Sequence, residues 1–134
     1  MYYEWTFSIP ANTSEANAVE HELAMDSGVI VAMSVYNPPG CQRVCRSRIL
    51  EELSVLWPGN RLGYIATDGD VVTWAEGYVL KSPRYRLILR AWNVSTNYAH
   101  DVVVRINVLP AALATPFLVI NELVTVLKHL IGLD

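Results

Sequence analysis

Between Pro83 and Pro110 the chain alternates apolar and polar positions over two long runs, Tyr85–Val94 and Tyr98–Leu109. In the first, Tyr85, Leu87, Leu89 and Ala91 share one face, with Arg86, Ile88, Arg90 and Trp92 on the other. In the second, Val102, Val104, Ile106 and Val108 are opposed by Asp101, Val103, Arg105 and Asn107. Alternation with period two marks a half-buried strand, because successive side chains leave opposite faces of the sheet. The polar triplet Ser95-Thr96-Asn97 between the runs predicts a hairpin. One face of that hairpin would be an apolar wall, and the other would carry Arg86, Arg90 and Arg105 beside Asp101.

The same reading extends to the rest of the first 110 residues. Tyr2–Ile9 sets Tyr3, Trp5, Phe7 and Ile9 against Tyr2, Glu4, Thr6 and Ser8, and Pro10 ends the run. Ala18–Met25 and Val29–Tyr36, joined by Asp26-Ser27-Gly28, predict a second hairpin. Asn37-Pro38-Pro39-Gly40 is a break, since proline removes backbone donors and glycine frees the chain. Arg43–Leu50 alternates again, Glu51–Val55 fits either a continuing strand or a short helix, and Trp57-Pro58-Gly59-Asn60 is a turn. Leu62–Ala66 and Val71–Leu80 follow as strands around the turn Thr67-Asp68-Gly69-Asp70. About eight short strands separated by turn signals predict an all-β fold, an antiparallel, jelly-roll-like β-sandwich. Helices between the strands, which a doubly wound α/β fold needs, are not written in the pattern.

After Pro110 the period changes, so residues 1–110 form the sandwich domain and 111–134 a helical extension. Thr115 suits the N-cap, Pro116 the first helical position and Gly132 the stop. Asn121, Glu122, Thr125, Lys128 and His129 make one narrow polar stripe, and nearly everything else in the helix is apolar. A helix apolar over most of its circumference must be covered on more than one side. The sandwich would cover one side. Phe117, Ile120, Leu123, Val124, Leu127 and Ile131 are then the expected assembly interface.

Composition agrees with that expectation. Charged residues make up only 17% of the chain, below the ~25% of an ordinary globular domain. The polar covering is thin for a free monomer, which points to surface buried on a partner. A net charge of −3 with both signs mixed argues against nucleic acid as that partner. The start Met1-Tyr2-Tyr3-Glu4-Trp5 lacks a basic region and a sustained apolar core, so no signal peptide is expected and the chain would be made in a cytoplasm. Ile106–Asn121, the longest charge-free run, is interrupted by Pro110 and Pro116 and is too short for a membrane span.

Candidate chemistry is sparse. Cys41 and Cys45, with His21, His100 and His129 scattered elsewhere, do not supply four zinc ligands in close pairs. An extended Gln42–Arg46 would also hold the two thiols too far apart for a disulfide. Asp68-Gly69-Asp70 offers two carboxylates where a calcium ion wants six or more oxygens. Nothing singles out a carboxylate pair for glycoside hydrolysis, and no nucleophile elbow is present. No enzyme and no cofactor is expected. A second reading gives Trp57 and Trp92 the role of aromatic platforms for a carbohydrate or small ligand, with Arg86, Arg90 and Arg105 as contacts for a ligand or partner. For any one tryptophan, core filling is the commoner fate.

Phe7-x-Ile9-Pro10-Ala11-Asn12-Thr13, Pro38-Pro39-Gly40-Cys41, Trp57-Pro58, Asp68-Gly69, Ala91-Trp92-Asn93 and Val104-Arg105-Ile106-x-Val108-Leu109-Pro110 follow one another in that order. The set resembles small β-sandwich proteins encoded among the structural genes of tailed phages and related prokaryotic viruses. The likeness spans residues 1–110 and leaves out the helix. Its motifs are turns and core positions, so it implies a scaffold and carries over no catalytic residue. The expectation is a virion structural or decoration protein that forms homo-oligomers or docks on another shell protein.

Overall fold

The computed structural model describes residues 1–60, 62–80 and 84–132, and for 111–119 the course of the backbone only. Among the described residues nine strands form, β1 Tyr2–Ile9, β2 Val19–Ala24, β3 Gly28–Tyr36, β4 Cys45–Glu51, β5 Ser54–Trp57, β6 Val71–Trp74, β7 Tyr78–Val79, β8 Arg86–Asn93 and β9 His100–Pro110. A helix, α1 Ala111–Leu130, follows β9 directly. The strands build two antiparallel sheets packed as a sandwich. One has the order β1-β9-β3-β6, with β7 also pairing β3, and the other the order β2-β8-β4-β5.

The alternation placed the core correctly. Val102, Val104, Ile106 and Val108 of β9 face Leu87, Leu89 and Ala91 of β8 across the gap, and all are fully buried. Ile9, Leu23, Ile30, Met33, Val35, Cys45 and Ile49 complete the same cluster, with Tyr3, Trp5 and Phe7 packed at its margin. Interdigitation of two inner faces in this way is what makes a sandwich core.

Neither expected hairpin forms. β8 lies in one sheet and β9 in the other, as do β2 and β3, so each link crosses the gap. Of the strands described, β4 and β5 are the only sequence neighbours that pair with each other, and the segment open to either strand or helix is their turn. Length permits the crossing from β8 to β9. Sheets pack ~10 Å apart, and the residues between Asn93 and His100 reach roughly 20 Å when extended. That link serves a crossing as well as a turn, and only the crossing sets the two apolar walls face to face.

Two fully buried asparagines stand where the chain leaves β8 and where it leaves β3. Asn93 donates from Nδ2 to the carbonyls of Ile9 (3.2 Å) and Tyr98 (2.9 Å) and accepts from the Ser95 amide at 3.0 Å. Asn37, at the end of β3, receives the Thr67 hydroxyl at 3.2 Å and donates to the Asp101 carbonyl at 2.9 Å. Gly28 opens β3 where a Cβ would sit 2.3 Å from the Leu109 carbonyl oxygen, which no other residue could tolerate.

Smaller expectations also shift. Val71–Leu80 divides into β6 and β7, and Leu62–Ala66 contributes a single bridge, Ile65 to Ser47. Tyr85 precedes β8 with φ +49° and is exposed, so it leaves the apolar wall. The helix starts at Ala111, ahead of Thr115, and Pro116 lies in its second turn.

Candidate functional site

Arg86, Arg90 and Arg105 do not share a face. Because β8 and β9 are in different sheets, Arg86 and Arg90 lie on the outside of the four-stranded sheet and Arg105 on the outside of the five-stranded one. Arg86 pairs with Glu22 at 3.5 Å and Glu52 at 3.8 Å. Arg90 stands in register with Glu20 on β2 and Arg48 on β4. Arg105 donates from Nε to Glu4 Oε1 at 2.7 Å and lies 5.9 Å over the Tyr36 ring. Its hydrogen bond holds the Glu4 carboxyl below the usual carboxylate range. Three arginines divided between opposite outer faces cannot grip one anion.

Trp92 is only 1% exposed. Tyr64 meets its ring edge-on with centroids 6.0 Å apart, and the Arg48 guanidinium covers it at 5.0 Å. Arg46 in turn lies 4.7 Å over Tyr64. Arg48 is anchored to the Gly63 carbonyl at 2.7 Å and to Glu15. The alternation over Arg43–Leu50 sets Arg46 and Arg48 on one face, but nothing in the sequence announced Trp92 and Tyr64 as their neighbours. Trp57, at 7% exposure, packs on Trp74 and Tyr78 with centroids 5.7 and 5.4 Å away. Its indole donates to Glu76 at 3.1 Å. Tyr78 donates to Glu51 at 2.6 Å, and burial together with that carboxylate raises its phenol pKa. Trp92 is closed over, whereas Trp57 borders a small open pocket with Leu56, Gly59, Glu76 and Tyr78.

The remaining chemistry is structural. Cys41 and Cys45 are free and buried, and Cys41 donates to the Thr67 carbonyl at 2.7 Å. The segment between them is not extended. Gln42 and Arg43 adopt φ +51° and +60° in a tight turn closed by the Val44 amide on the Cys41 carbonyl. Burial pushes the Cys45 thiol up to about 12, with Cys41 adding to the shift. Asp68 accepts the Gly40 amide at 2.8 Å, and Asp70 accepts the Asp68 amide at 2.9 Å. Both carboxylates therefore hold loops, and among the described residues no three His, Cys, Asp or Glu side chains converge on a metal position.

The described part of the helix is left largely uncovered by this chain. It touches the sandwich through β3 and β9, yet every described residue from Ile120 to Gly132 is exposed. Ile120, Leu123 and Leu127 are each 57% exposed and Leu130 73%. The sandwich was expected to cover one side, and over this stretch it covers none fully. Asn121, Glu122, Thr125 and Lys128, with Val124, border a groove of about 550 Å³ whose far wall is Gly77–Val79. The polar stripe thus borders that groove rather than separating apolar flanks. Of the expected interface residues, Ile120, Leu123, Val124, Leu127 and Ile131 are in the open, and the Phe117 side chain lies outside the described residues. The helix closes with the Ile131 amide on the Leu127 carbonyl at 3.1 Å and Gly132 at φ +74°. Among the described residues no helix is long and apolar enough to cross a membrane.

No protein-family model and no curated protein matches the chain. Among solved structures the chain is similar to Aeromonas hydrophila PliG, a periplasmic lysozyme inhibitor of g-type lysozyme. The alignment covers 80% of this chain and 85% of that one, at 12% identity and a TM-score of 0.42. A likeness of that degree carries no functional argument.

Proposed function

We propose that this chain is a non-enzymatic structural protein that assembles through its C-terminal helix, with the β-sandwich as a rigid scaffold. The observation that supports it is the exposure of Ile120, Leu123, Val124, Val126, Leu127, Leu130 and Ile131 on one helix. Burying a large aliphatic side chain fully is worth ~1.5–3 kcal/mol. Partial burial of these residues against a partner therefore yields an energy of the order of the ~4–15 kcal/mol that association costs. A low charged fraction, 17%, fits a surface partly covered in use. The ordered turns and core positions that resemble phage structural proteins favour a virion structural or decoration role. In that role the partner is a second copy of the chain or another shell protein.

Light scattering on the full chain and on a variant carrying Leu123→Gln, Leu127→Gln and Leu130→Gln tests the helix. The expected result is a defined oligomer whose mass falls in the variant, with circular dichroism of the strands retained. An unchanged mass overturns self-assembly through the helix.

A further inference from the structure

Among the described strands, those with an open edge are not equivalent, and β7, with two residues, is the shortest of them. β5 and β6 have four residues each, too short to template another chain. β2 carries Glu20 and Glu22 among its six residues. Short strands and charge are the devices that keep sheet edges from pairing with other molecules. β1 has neither. It runs eight residues, pairs with β9 without a bulge, contains no proline, and bears one charge, Glu4, already neutralised by Arg105.

The polarity of that edge follows from the register. Met1 exchanges backbone hydrogen bonds with Val108. In an antiparallel ladder such pairs alternate, so Tyr3, Trp5, Phe7 and Ile9 direct their amides and carbonyls to β9. Tyr2, Glu4, Thr6 and Ser8 direct theirs to the open side, where the described residues provide no backbone partner.

We propose that β1 pairs with β1 of a second copy, antiparallel about a two-fold axis at Trp5, joining the two five-stranded sheets into one. This contact is independent of the helix. In that register Tyr2 faces Ser8 of the second copy and Glu4 faces Thr6, so every outward amide and carbonyl is satisfied. No like charges meet. A shift by two residues in one direction would oppose Glu4 to Glu4, which like charges disfavour. On the inner face Trp5 meets Trp5 and Tyr3 meets Phe7, covering aromatic rings that are only half-buried in the single chain. A two-fold contact of this kind closes on itself, as most homo-oligomer contacts do.

The test begins from the full chain with Leu123→Gln, Leu127→Gln and Leu130→Gln, so that the helix no longer contributes. By light scattering this variant is expected to be a dimer. Adding Thr6→Pro, which removes an outward amide and spares the β9 ladder, is expected to halve the mass. Thr6→Glu, which sets a carboxylate opposite Glu4 of the second copy, is expected to do the same without touching the backbone. Amide exchange read residue by residue gives the register: Glu4, Thr6 and Ser8 should exchange slowly in the dimer, and Glu4 and Ser8 fast in either Thr6 variant. A helix variant that is already a monomer overturns self-pairing of β1, including the case in which the strand accepts a segment of a different protein. A dimer whose Glu4, Thr6 and Ser8 amides exchange at loop rates overturns it equally.

Discussion

β9 and α1 are adjacent in the chain and similarly rich in branched apolar residues, yet they end in opposite conditions. Val102, Val104, Ile106 and Val108 are fully buried, whereas Leu123, Val124, Leu127 and Leu130 all stand in the open. The difference is one of partners. β9 is hydrogen-bonded on both sides, to β1 and β3, and the opposing sheet closes over its inner face. The helix meets β3 and β9 and borders Gly77–Val79 across a groove, and every described residue from Ile120 to Gly132 is exposed. Apolar pattern states what must be buried. It does not supply what buries it.

That contrast can be broken most forcefully in the core. Leu89→Ala or Ile106→Ala should cost about 2–5 kcal/mol, the range for large-to-small changes at filled sites, read as a lower urea midpoint. Leu127→Ala should leave the stability of the sandwich within about 0.5 kcal/mol, as surface changes do, while lowering the assembled mass.

The corners should respond next. Asn93→Ala removes the side-chain donor to the Tyr98 carbonyl and the acceptor of the Ser95 amide, and a buried group stripped of its partner costs about 1–3 kcal/mol. Asn37→Ala should behave alike by the same denaturation measurement. No surface polar residue away from these corners should match them.

A smaller effect separates interior from exterior by pH. The Cys45 thiol rises from 9.0 to about 12 through burial. The folded state then holds its proton where the unfolded state releases it, so the stabilisation is whole below pH 9 and declines as pH climbs toward 12. Cys45→Ala should flatten that decline in urea titrations between pH 8 and 11, and native protein should resist thiol-labelling reagents at pH 8. Smallest of all is Glu4→Gln. Its ion pair with Arg105 is solvent-exposed, and such pairs contribute little. The denaturation midpoint should not move measurably.

Much of the sandwich was legible because its signal is local. The inward set of β1, β8 and β9 follows from alternation alone. The candidate site was far less legible. Treating β8 and β9 as one hairpin gathered Arg86, Arg90 and Arg105 onto one face, and the crossing between sheets divides them. Trp92 on an outward position looked available until Tyr64 and Arg48, brought from a loop and from the next strand, sealed it. Trp57 is likewise engaged by Trp74, Tyr78 and Glu76. Each of these contacts joins residues from different elements, so no window of sequence contains them.

By itself, then, the sequence determined which side of each strand is apolar, that the chain becomes helical after Pro110, and that this helix carries more apolar surface than one stripe can hide. The tertiary structure alone decided which strands pair, on which side of the molecule each arginine lies, which aromatics are covered, and that the helix and the β1 edge remain open. The reason is that side-chain period is a property of neighbouring residues, while pairing is chosen by the burial of two distant walls at once. The residues between Asn93 and His100 can close a hairpin or cross the sandwich, and only the packed core makes the choice.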